Sequence, residues 1–253
     1  MPVSSLSAAA FAAAAHAAID RVSTSQTEGV AKAAELITSA LAADGIVQAF
    51  GTGHSEAFAM EIAGRAGGLV PSNRIALRDV VLFGGRPVQI LEGSELERGT
   101  ESAGLLWELT NPHPADVFVL ASNSGVNGCV VELARLAKEN GHPLIVVTSA
   151  EHTAGVQPKH PSGLRLRDYA DVVLDNGAPF GDAVLPMAGG GKACGISSIT
   201  AALLGQQVVA EVIRRIEESG GVPPVYLSAN IPGGDEHNGK LEALYAGRIR
   251  RTA

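Results

Sequence analysis

The sequence predicts an α/β fold, a three-layer α-β-α sandwich with a parallel five-stranded sheet in the middle. Short apolar runs typical of strands alternate along the chain with longer segments whose apolar residues recur at helical spacing. Strands that alternate with helices indicate a parallel sheet covered by helices on both faces. A chain of 253 residues, 46% of them apolar and 18% charged, is ample for the core of a globular protein.

The predicted elements follow one another without a fixed repeat, and we expect a single domain over residues 1–253. The Ala-rich residues 7–43 predict one or two extra helices before the sheet. The core covers about residues 44–218, and the tail, residues 219–253, looks irregular. Strands are predicted within residues 45–50, 116–125, 143–149 and 170–177 and near residues 74–77, and helices within residues 51–68, 100–111, 127–141 and 195–221.

Charge and cysteine content argue against several classes of protein. The net charge of −7 opposes a general attraction to nucleic acid or to anionic lipid. Cys129 and Cys194 form no Cys-x-x-Cys pair, so neither a disulfide framework nor a zinc site is indicated. The N-terminal apolar stretch lacks the preceding Lys or Arg of an export signal, and no uncharged run of about 18 apolar residues is present to span a membrane. We therefore expect a cytoplasmic protein.

Two predicted strands end in similar polar turns, each followed by a predicted helix. In a parallel sheet, ligands bind at the carboxyl ends of strands, and backbone N–H groups at the start of a helix attract anions. The hydroxyls, glycines and exposed N–H groups of both turns therefore predict a phosphate site. The purely structural alternatives are that Ser55 caps its helix and that Ser122 and Ser124 only form a turn. The two turns are Gly51-Thr52-Gly53-His54-Ser55 and Ser122-Asn123-Ser124-Gly125-Val126-Asn127.

The segment DVFVLASNSGVNGCVVELARLAKENGHPLIVVTS resembles the core of the sugar isomerase (SIS) family of phosphosugar proteins. The family pattern is a strand, Ser-x-Ser-Gly-x-Thr, a helix, a Gly and a strand ending in Thr or Ser. Asn127 stands where Thr is usual. The resemblance covers about residues 30–215 and implies the SIS fold. It also implies that Ser122, Ser124 and Asn127 hold the phosphate of a sugar, and that Ser55 faces the sugar.

Neither a nucleotide nor a metal is expected at this site. Glu56 stands in place of the third glycine of a dinucleotide-binding turn, and Lys192 lacks the apolar strand that precedes a Walker lysine. The segment GTGHSEAFAMEIAGRAGG resembles the opening of sedoheptulose 7-phosphate isomerases, whose helix carries a zinc-binding His and a catalytic Glu. The matching positions are Glu61 and Arg65, so the metal and base of those enzymes do not carry over.

The segment FGGRPVQILEGSELERGTESAG resembles the N-acetylmuramic acid 6-phosphate etherases, in which an Ile-x-Glu-Gly-x-Glu run supplies a catalytic Glu. The second Glu of that run falls on Glu95, within an acidic stretch that could also be plain solvated surface. The segment MAGGGKACGISSITAALL resembles the etherase segment that enters a long helix, and it adds Ser197 to the expected substrate-binding residues. The whole chain is most similar to small SIS proteins with a GTGHSE box.

The function expected from these resemblances is that of a phosphosugar lyase. The C1 carbonyl of an open-chain hexose 6-phosphate acidifies the C2 proton, which a carboxylate can remove. We expect Glu61 and Glu95 to share the two roles, with Glu61 as this base and Glu95 as the acid that protonates a leaving oxygen at C3, or in the reverse order. The expected reaction is loss of water from N-acetylglucosamine 6-phosphate, because its C2 amide does not allow isomerisation.

Two other functions remain open at this point. An aldose–ketose isomerase needs only one base and a hydroxyl at C2 of the sugar. A non-catalytic phosphosugar sensor needs no catalytic base. His237, in the polar tail, is a further catalytic candidate for its own site or for that of a partner. The N-terminal helical segment has more apolar residues than one sheet face can cover, which predicts a homodimer or a larger homo-oligomer.

Overall fold

In the computed structural model of the protein, which describes residues 6–251, a five-stranded parallel sheet forms the centre of an α/β fold. The spatial order of its strands is the second, first, third, fourth and fifth. The winding of the chain therefore changes direction between the first and third strands, where sheets of this kind bind their ligands. The strands are β1 (Val47–Gly51), β2 (Ser72–Ile75), β3 (Val117–Ala121), β4 (Leu144–Thr148) and β5 (Val172–Asp175).

Helices cover both faces of the sheet. Those of the described residues are α1 (Ala8–Ser25), α2 (Thr27–Ala42), α3 (Glu56–Ile62), α4 (Asp79–Leu82), α5 (Glu95–Arg98), α6 (Glu101–Thr110), α7 (Gly128–Glu139), α8 (Ala150–Gly155), α9 (Ser197–Glu218) and α10 (Gly234–Ala243). Helices α2, α3 and α9 pack on one face, and α4, α6 and α7 pack on the other. This arrangement confirms the predicted fold class.

Alternation of side chains along the strands divides the apolar core into two layers. In β3, Val117, Val119 and Ala121 belong to the layer with α2, α3 and α9. Phe118 and Leu120 point the other way, into the layer with α6 and α7. Every residue of β3 is buried, because helices cover the strand on both sides. Burial of each large apolar side chain contributes about 1.5–3 kcal/mol, which holds the strand ends in fixed positions.

The structure differs from the prediction in its least apolar segments. Strand β2 begins at Ser72 rather than at residue 74. An antiparallel hairpin, β6 (Ala183–Pro186) and β7 (Lys192–Gly195), precedes α9 where no strand was expected. The tail predicted to be irregular contains α10, in which Gly234 is the buried residue. These segments bury few apolar side chains, so the periodicity on which the prediction depends is weak there.

The segment after α10 returns to the amino ends of the strands and is held there by a buried carboxylate. Asp116, which precedes β3, is only 1% exposed. It accepts hydrogen bonds from the Ile46 N–H at 2.9 Å and from Gln48 Nε2 at 2.8 Å. Its Oδ1 also lies 2.6 Å from Arg248 Nη2. These donors compensate the cost of burying the charge, so Asp116 fixes the end of the chain against the sheet.

Candidate functional site

The two polar turns predicted to bind phosphate lie side by side. Strands β1 and β3 are parallel neighbours, with Gly51 opposite Ala121, so the turns after them meet at one edge of the sheet. The cleft between them is small, about 20 Å³, so most of a sugar phosphate would lie above it. The residues that line the cleft are His54, Ser55, Phe58, Ala121, Ser122, Asn123, Val147, Asn176, Ser197, Ser198 and Ala201.

Close backbone contacts shape the first turn. A Cβ atom on Gly51 would lie 2.2 Å from the carbonyl oxygen of Ser55, so only glycine fits there. The Ser55 N–H donates to the Thr52 carbonyl at 3.0 Å and closes the turn. The Ser55 side chain makes no capping hydrogen bond to α3, so the capping alternative does not apply and the hydroxyl is available to a ligand. His54 is exposed beside it.

The second turn is closed by its own serine. The Gly125 N–H donates to Ser122 Oγ at 3.1 Å, and Gly125 has φ +64°, in the left-handed region that favours glycine. The Gly125 carbonyl accepts from the Leu166 N–H at 2.8 Å, which ties the turn to the chain after α8. Ser122 thus has a structural role as well as a place in the cleft. The half-buried Ser124 hydroxyl makes no hydrogen bond within residues 6–251 and can donate to a ligand.

Asn123 connects the second turn to the ends of β4 and β5. Its Nδ2 lies 3.2 Å from His152 Nδ1, and its Oδ1 accepts from Asn176 Nδ2 at 3.0 Å. Its carbonyl accepts from the Ser149 N–H at 3.2 Å. Neither His152 nor Asn176 was among the residues expected at this site. Both support the turn, because chain segments remote in sequence meet at the carboxyl edge of the sheet.

The N-terminus of α7 faces the second turn without a side-chain cap. Asn127 occupies the cap position, but it makes no capping hydrogen bond. Instead its Nδ2 donates to Glu97 Oε1 at 2.6 Å, and its Oδ1 lies 3.4 Å from Lys159 Nζ. The first N–H groups of α7 therefore have no side-chain acceptor and are candidate donors to an anion. A Cβ atom on Gly128 would lie 2.2 Å from the Arg98 carbonyl oxygen, which shows how closely α5 approaches this end of α7.

Ser197 reaches the cleft from the first turn of α9. Its N–H donates to Asp182 Oδ1 at 2.8 Å, and its hydroxyl donates to Asp182 Oδ2 at 2.9 Å. Asp182 thus caps α9 and fixes the Ser197 hydroxyl, which can still accept a hydrogen bond from a sugar. Ser198 beside it is exposed and also lines the cleft.

Glu97 is the carboxylate that lies between the two turns, and the sequence pattern did not single it out. Besides its bond to Asn127, its Oε2 would lie 3.7 Å from a Cβ atom placed on Gly53. Glu97 is half-buried, whereas Glu95 is exposed and lines a separate groove with Arg86. Side chains two residues apart point in different directions from a helical turn, so α5 brings Glu97 and not Glu95 to the site. The position of Glu95 therefore gives no support to its predicted role.

The structure also places Glu61 and His237 away from the cleft. Glu61 accepts from Gln206 Nε2 at 2.7 Å and forms an ion pair with Arg65, so its carboxylate is engaged between α3 and α9. His237 lies on α10, where its Nε2 is 3.0 Å from the carbonyl oxygen of Val225. Neither is among the residues that line the cleft, and neither lies beside the two turns as Glu97 does, which is itself outside that lining. Their predicted catalytic roles are not supported by these positions.

Between residues 6 and 251, no three His, Cys, Asp or Glu side chains come together in a group that could hold a metal ion. No helix in that range has the length and apolar character needed to cross a membrane.

Comparisons with known proteins relate this fold and site to a family. The SIS domain family matches residues 10–149. A UPF0309 protein of Listeria monocytogenes is 42% identical over 225 residues, 88% of this chain and 91% of that protein. The phosphoheptose isomerase GmhA of Neisseria gonorrhoeae is similar in structure, with a TM-score of 0.53 at 21% identity over 81% of this chain and 96% of that chain. The NanR protein of Vibrio vulnificus, solved in complex with ManNAc-6P, has a TM-score of 0.51 at 16% identity over 83% of this chain and 63% of that chain. The chain therefore belongs to the SIS domain family and, within it, to the UPF0309 proteins.

Proposed function

We propose that this protein is a phosphosugar lyase that binds an N-acetylhexosamine 6-phosphate at the cleft and removes water across its C2–C3 bond. The first candidate substrate is N-acetylglucosamine 6-phosphate. The observation that carries the proposal is the position of Glu97, a half-buried carboxylate next to Gly53 of the first turn and Asn127 of the second. A carboxylate beside a phosphate-binding turn is placed to remove a proton from the sugar that the turn holds.

The phosphate would bind at the second turn, where three kinds of donor converge. Ser124 offers a hydroxyl that makes no hydrogen bond within the described chain. Helix α7 offers the N–H groups of its uncapped first turn. Lys159 adds a positive charge, with Nζ at 3.4 Å from Asn127 Oδ1. Each hydrogen bond to a charged phosphate is worth roughly 1.5–3 kcal/mol, so these donors suffice to fix one end of the sugar.

The reaction would then proceed with Glu97 as the proton carrier. In the open-chain aldehyde, Glu97 takes the C2 proton, and the electrons of the C2–H bond form an enolate with the C1 carbonyl. These electrons next form the C2=C3 double bond as the C3–O bond breaks. The departing hydroxyl takes the proton from Glu97 and leaves as water. One carboxyl group can therefore serve both steps, and the pair of glutamates expected from the sequence is not required.

An isomerase is the second candidate, because the positions of Glu61 and Glu95 away from the cleft remove the argument for two cooperating carboxylates. Isomerisation needs one base and a hydroxyl at C2. Glu97 would take the C2 proton of an open-chain hexose 6-phosphate and return it to C1, while the proton of the C2 hydroxyl moves to the C1 oxygen and C2 becomes the carbonyl carbon. The two reactions share the first step and differ in the fate of the enolate, so the products separate them.

The test compares Glu97→Gln with Glu95→Gln, a matched control that changes an exposed carboxylate two positions away. N-acetylglucosamine 6-phosphate is the main substrate, and ManNAc-6P is included because the NanR protein of similar fold binds it. We expect kcat to fall by roughly 10²–10⁴ in Glu97→Gln, since proton transfer is lost. For Glu95→Gln we expect a change within about twofold, as for an exposed substitution.

The readouts are the loss of water by mass spectrometry and deuterium exchange at C2 by NMR. Water loss that depends on Glu97 supports the lyase. Glucose 6-phosphate, which has a hydroxyl at C2, is the third substrate and tests for the isomerase. Its conversion to a ketose, without water loss from either amino sugar, supports the isomerase and rejects the lyase. Binding of these sugars without exchange or product indicates a sensor and rejects both enzymes.

A further inference from the structure

A second pocket lies at the C-terminal end of α3, away from the cleft, and arginine dominates its lining. Its volume is about 280 Å³, and no Asp or Glu lines it, although the chain has 26 acidic and 19 basic residues. Like charges gathered around one concave space repel each other. The carboxylates of Glu61, Asp79 and Glu242, each within 4.0 Å of one of these arginines, offset part of this repulsion, and a bound anion would offset more. The lining residues are Met60, Ala63, Gly64, Arg65, Arg74, Arg250 and Arg251.

Arg251 is held in position mainly by neutral groups. Its Nε donates to Tyr226 Oη at 2.7 Å, Nη1 donates to the Ser72 carbonyl at 2.9 Å and Nη2 donates to the Val70 carbonyl at 3.0 Å. The carboxylate oxygen Oε1 of Glu242 lies 3.7 Å from Nε, beyond an ordinary hydrogen bond. The guanidinium group is therefore fixed, while its charge is only partly balanced.

Arg250 is held in a similar way. Its guanidinium lies over the ring of Phe83, 4.7 Å from the centroid, and its Nη2 donates to the Leu109 carbonyl. Its backbone N–H donates to Asn73 Oδ1 at 2.9 Å. Asp79 Oδ2 lies 4.0 Å from Arg250 Nη1, again too far for a hydrogen bond. Aromatic and backbone contacts thus orient a second positive charge beside the pocket, and Asp79 at 4.0 Å balances this charge only in part.

Arg65 differs, because it has a close carboxylate partner. It forms an ion pair with Glu61 on the same helix, and its side chain is 47% exposed. Only the arginine end of this pair is exposed, because the Glu61 side chain is 19% exposed and also accepts a hydrogen bond from Gln206. Glu61 therefore keeps a donor if Arg65 turns towards a ligand. The pocket therefore combines two fixed arginines with Arg65, which can adjust, and with the half-buried Arg74.

We propose that this pocket binds a small phosphorylated ligand through its phosphate group, at a site separate from the cleft. The planar guanidinium fork matches the oxygens of a phosphate and binds them in pairs. A volume of about 280 Å³ is near the lower end of small-molecule sites and accommodates one phosphate with a few further atoms. The net charge of −7 opposes an extended polyanion such as nucleic acid, so a compact ligand is the better match.

The test uses pyrophosphate as the probe, titrated by calorimetry into the full chain. The double variant Arg65→Gln, Arg74→Gln removes two charges from the pocket. The control Lys32→Gln, Lys240→Gln removes two charges from exposed ion pairs elsewhere, with Glu28 and Glu236. We expect the arginine variant to weaken pyrophosphate binding at least about tenfold, as for the loss of charge-assisted bonds, and the control to leave it unchanged.

Three results would overturn the proposal: no pyrophosphate binding in the wild type, unchanged binding in the arginine variant, or equal weakening in the control. Ser124→Ala, a substitution beside the cleft, distinguishes binding at the cleft from binding at the arginine pocket. This variant should retain the pyrophosphate binding that the arginine variant loses. If the arginine variant does not fold, a tungstate soak of wild-type crystals tests the same site. Tungstate soaked into crystals should give an anomalous peak between Arg65 and Arg250, and tungstate bound only elsewhere would reject the site.

Discussion

Replacing Gly125 by Ala should destabilise the protein, because Gly125 has a left-handed φ and little room for a Cβ atom. With φ at +64°, an alanine there costs about 1–2 kcal/mol of backbone strain. The added Cβ would lie 3.2 Å from Thr148 Oγ1 and 3.3 Å from Thr153 Oγ1. These two hydroxyls lie 3.0 Å apart in a mutual hydrogen bond, and both threonines are buried, so neither moves easily. Overpacking adds about 1–3 kcal/mol, which gives a total loss of about 2–5 kcal/mol.

Gly141→Ala provides the matched control for this prediction. Gly141 also has a left-handed φ, +82°, but nothing lies within 4 Å of a Cβ atom placed on it. We therefore expect only the backbone strain, about 1–2 kcal/mol. Urea unfolding followed by circular dichroism measures the free energy of unfolding of both variants. Equal losses for the two variants would refute the reasoning about the packing of the second turn.

Two further predictions concern buried groups. Burial raises the pKa of the Cys129 thiol to about 12, so its reactive thiolate forms only near that pH, whereas Cys194 is exposed. A thiol reagent at about pH 8 should therefore modify Cys194 rapidly and Cys129 only after denaturation, and rapid modification of both in the native protein would contradict this. Asp116→Ala leaves the Ile46 N–H and the charge of Arg248 without their acceptor and should lower the free energy of unfolding by about 3–5 kcal/mol. A loss below about 1 kcal/mol in urea, the value of a surface pair, would show that this ion pair does not anchor the chain end.

The sequence by itself determined those features that depend on a few neighbouring residues. The apolar run Val117–Ala121 predicts a buried strand, and the polar residues after it predict a turn that leads into a helix. The alternation of such units indicates a parallel sheet, and the rule that ligands bind at the carboxyl ends of strands predicts that the two turns meet. His54, Ser55 and Ser122 could therefore be expected at one site, and all three line the cleft.

The tertiary structure alone decided which acidic residue accompanies these turns. Glu95 and Glu97 lie on the single helical turn α5, and the local sequence does not show which of them faces inward. The choice depends on the packing of α5 against the start of α7, where a Cβ atom on Gly128 would lie only 2.2 Å from the Arg98 carbonyl oxygen. The contacts of Glu61 likewise could not be predicted from the local sequence alone. Its ion pair with Arg65 is local, but its bond to Gln206 joins residues 145 positions apart, and such contacts depend on how whole helices pack.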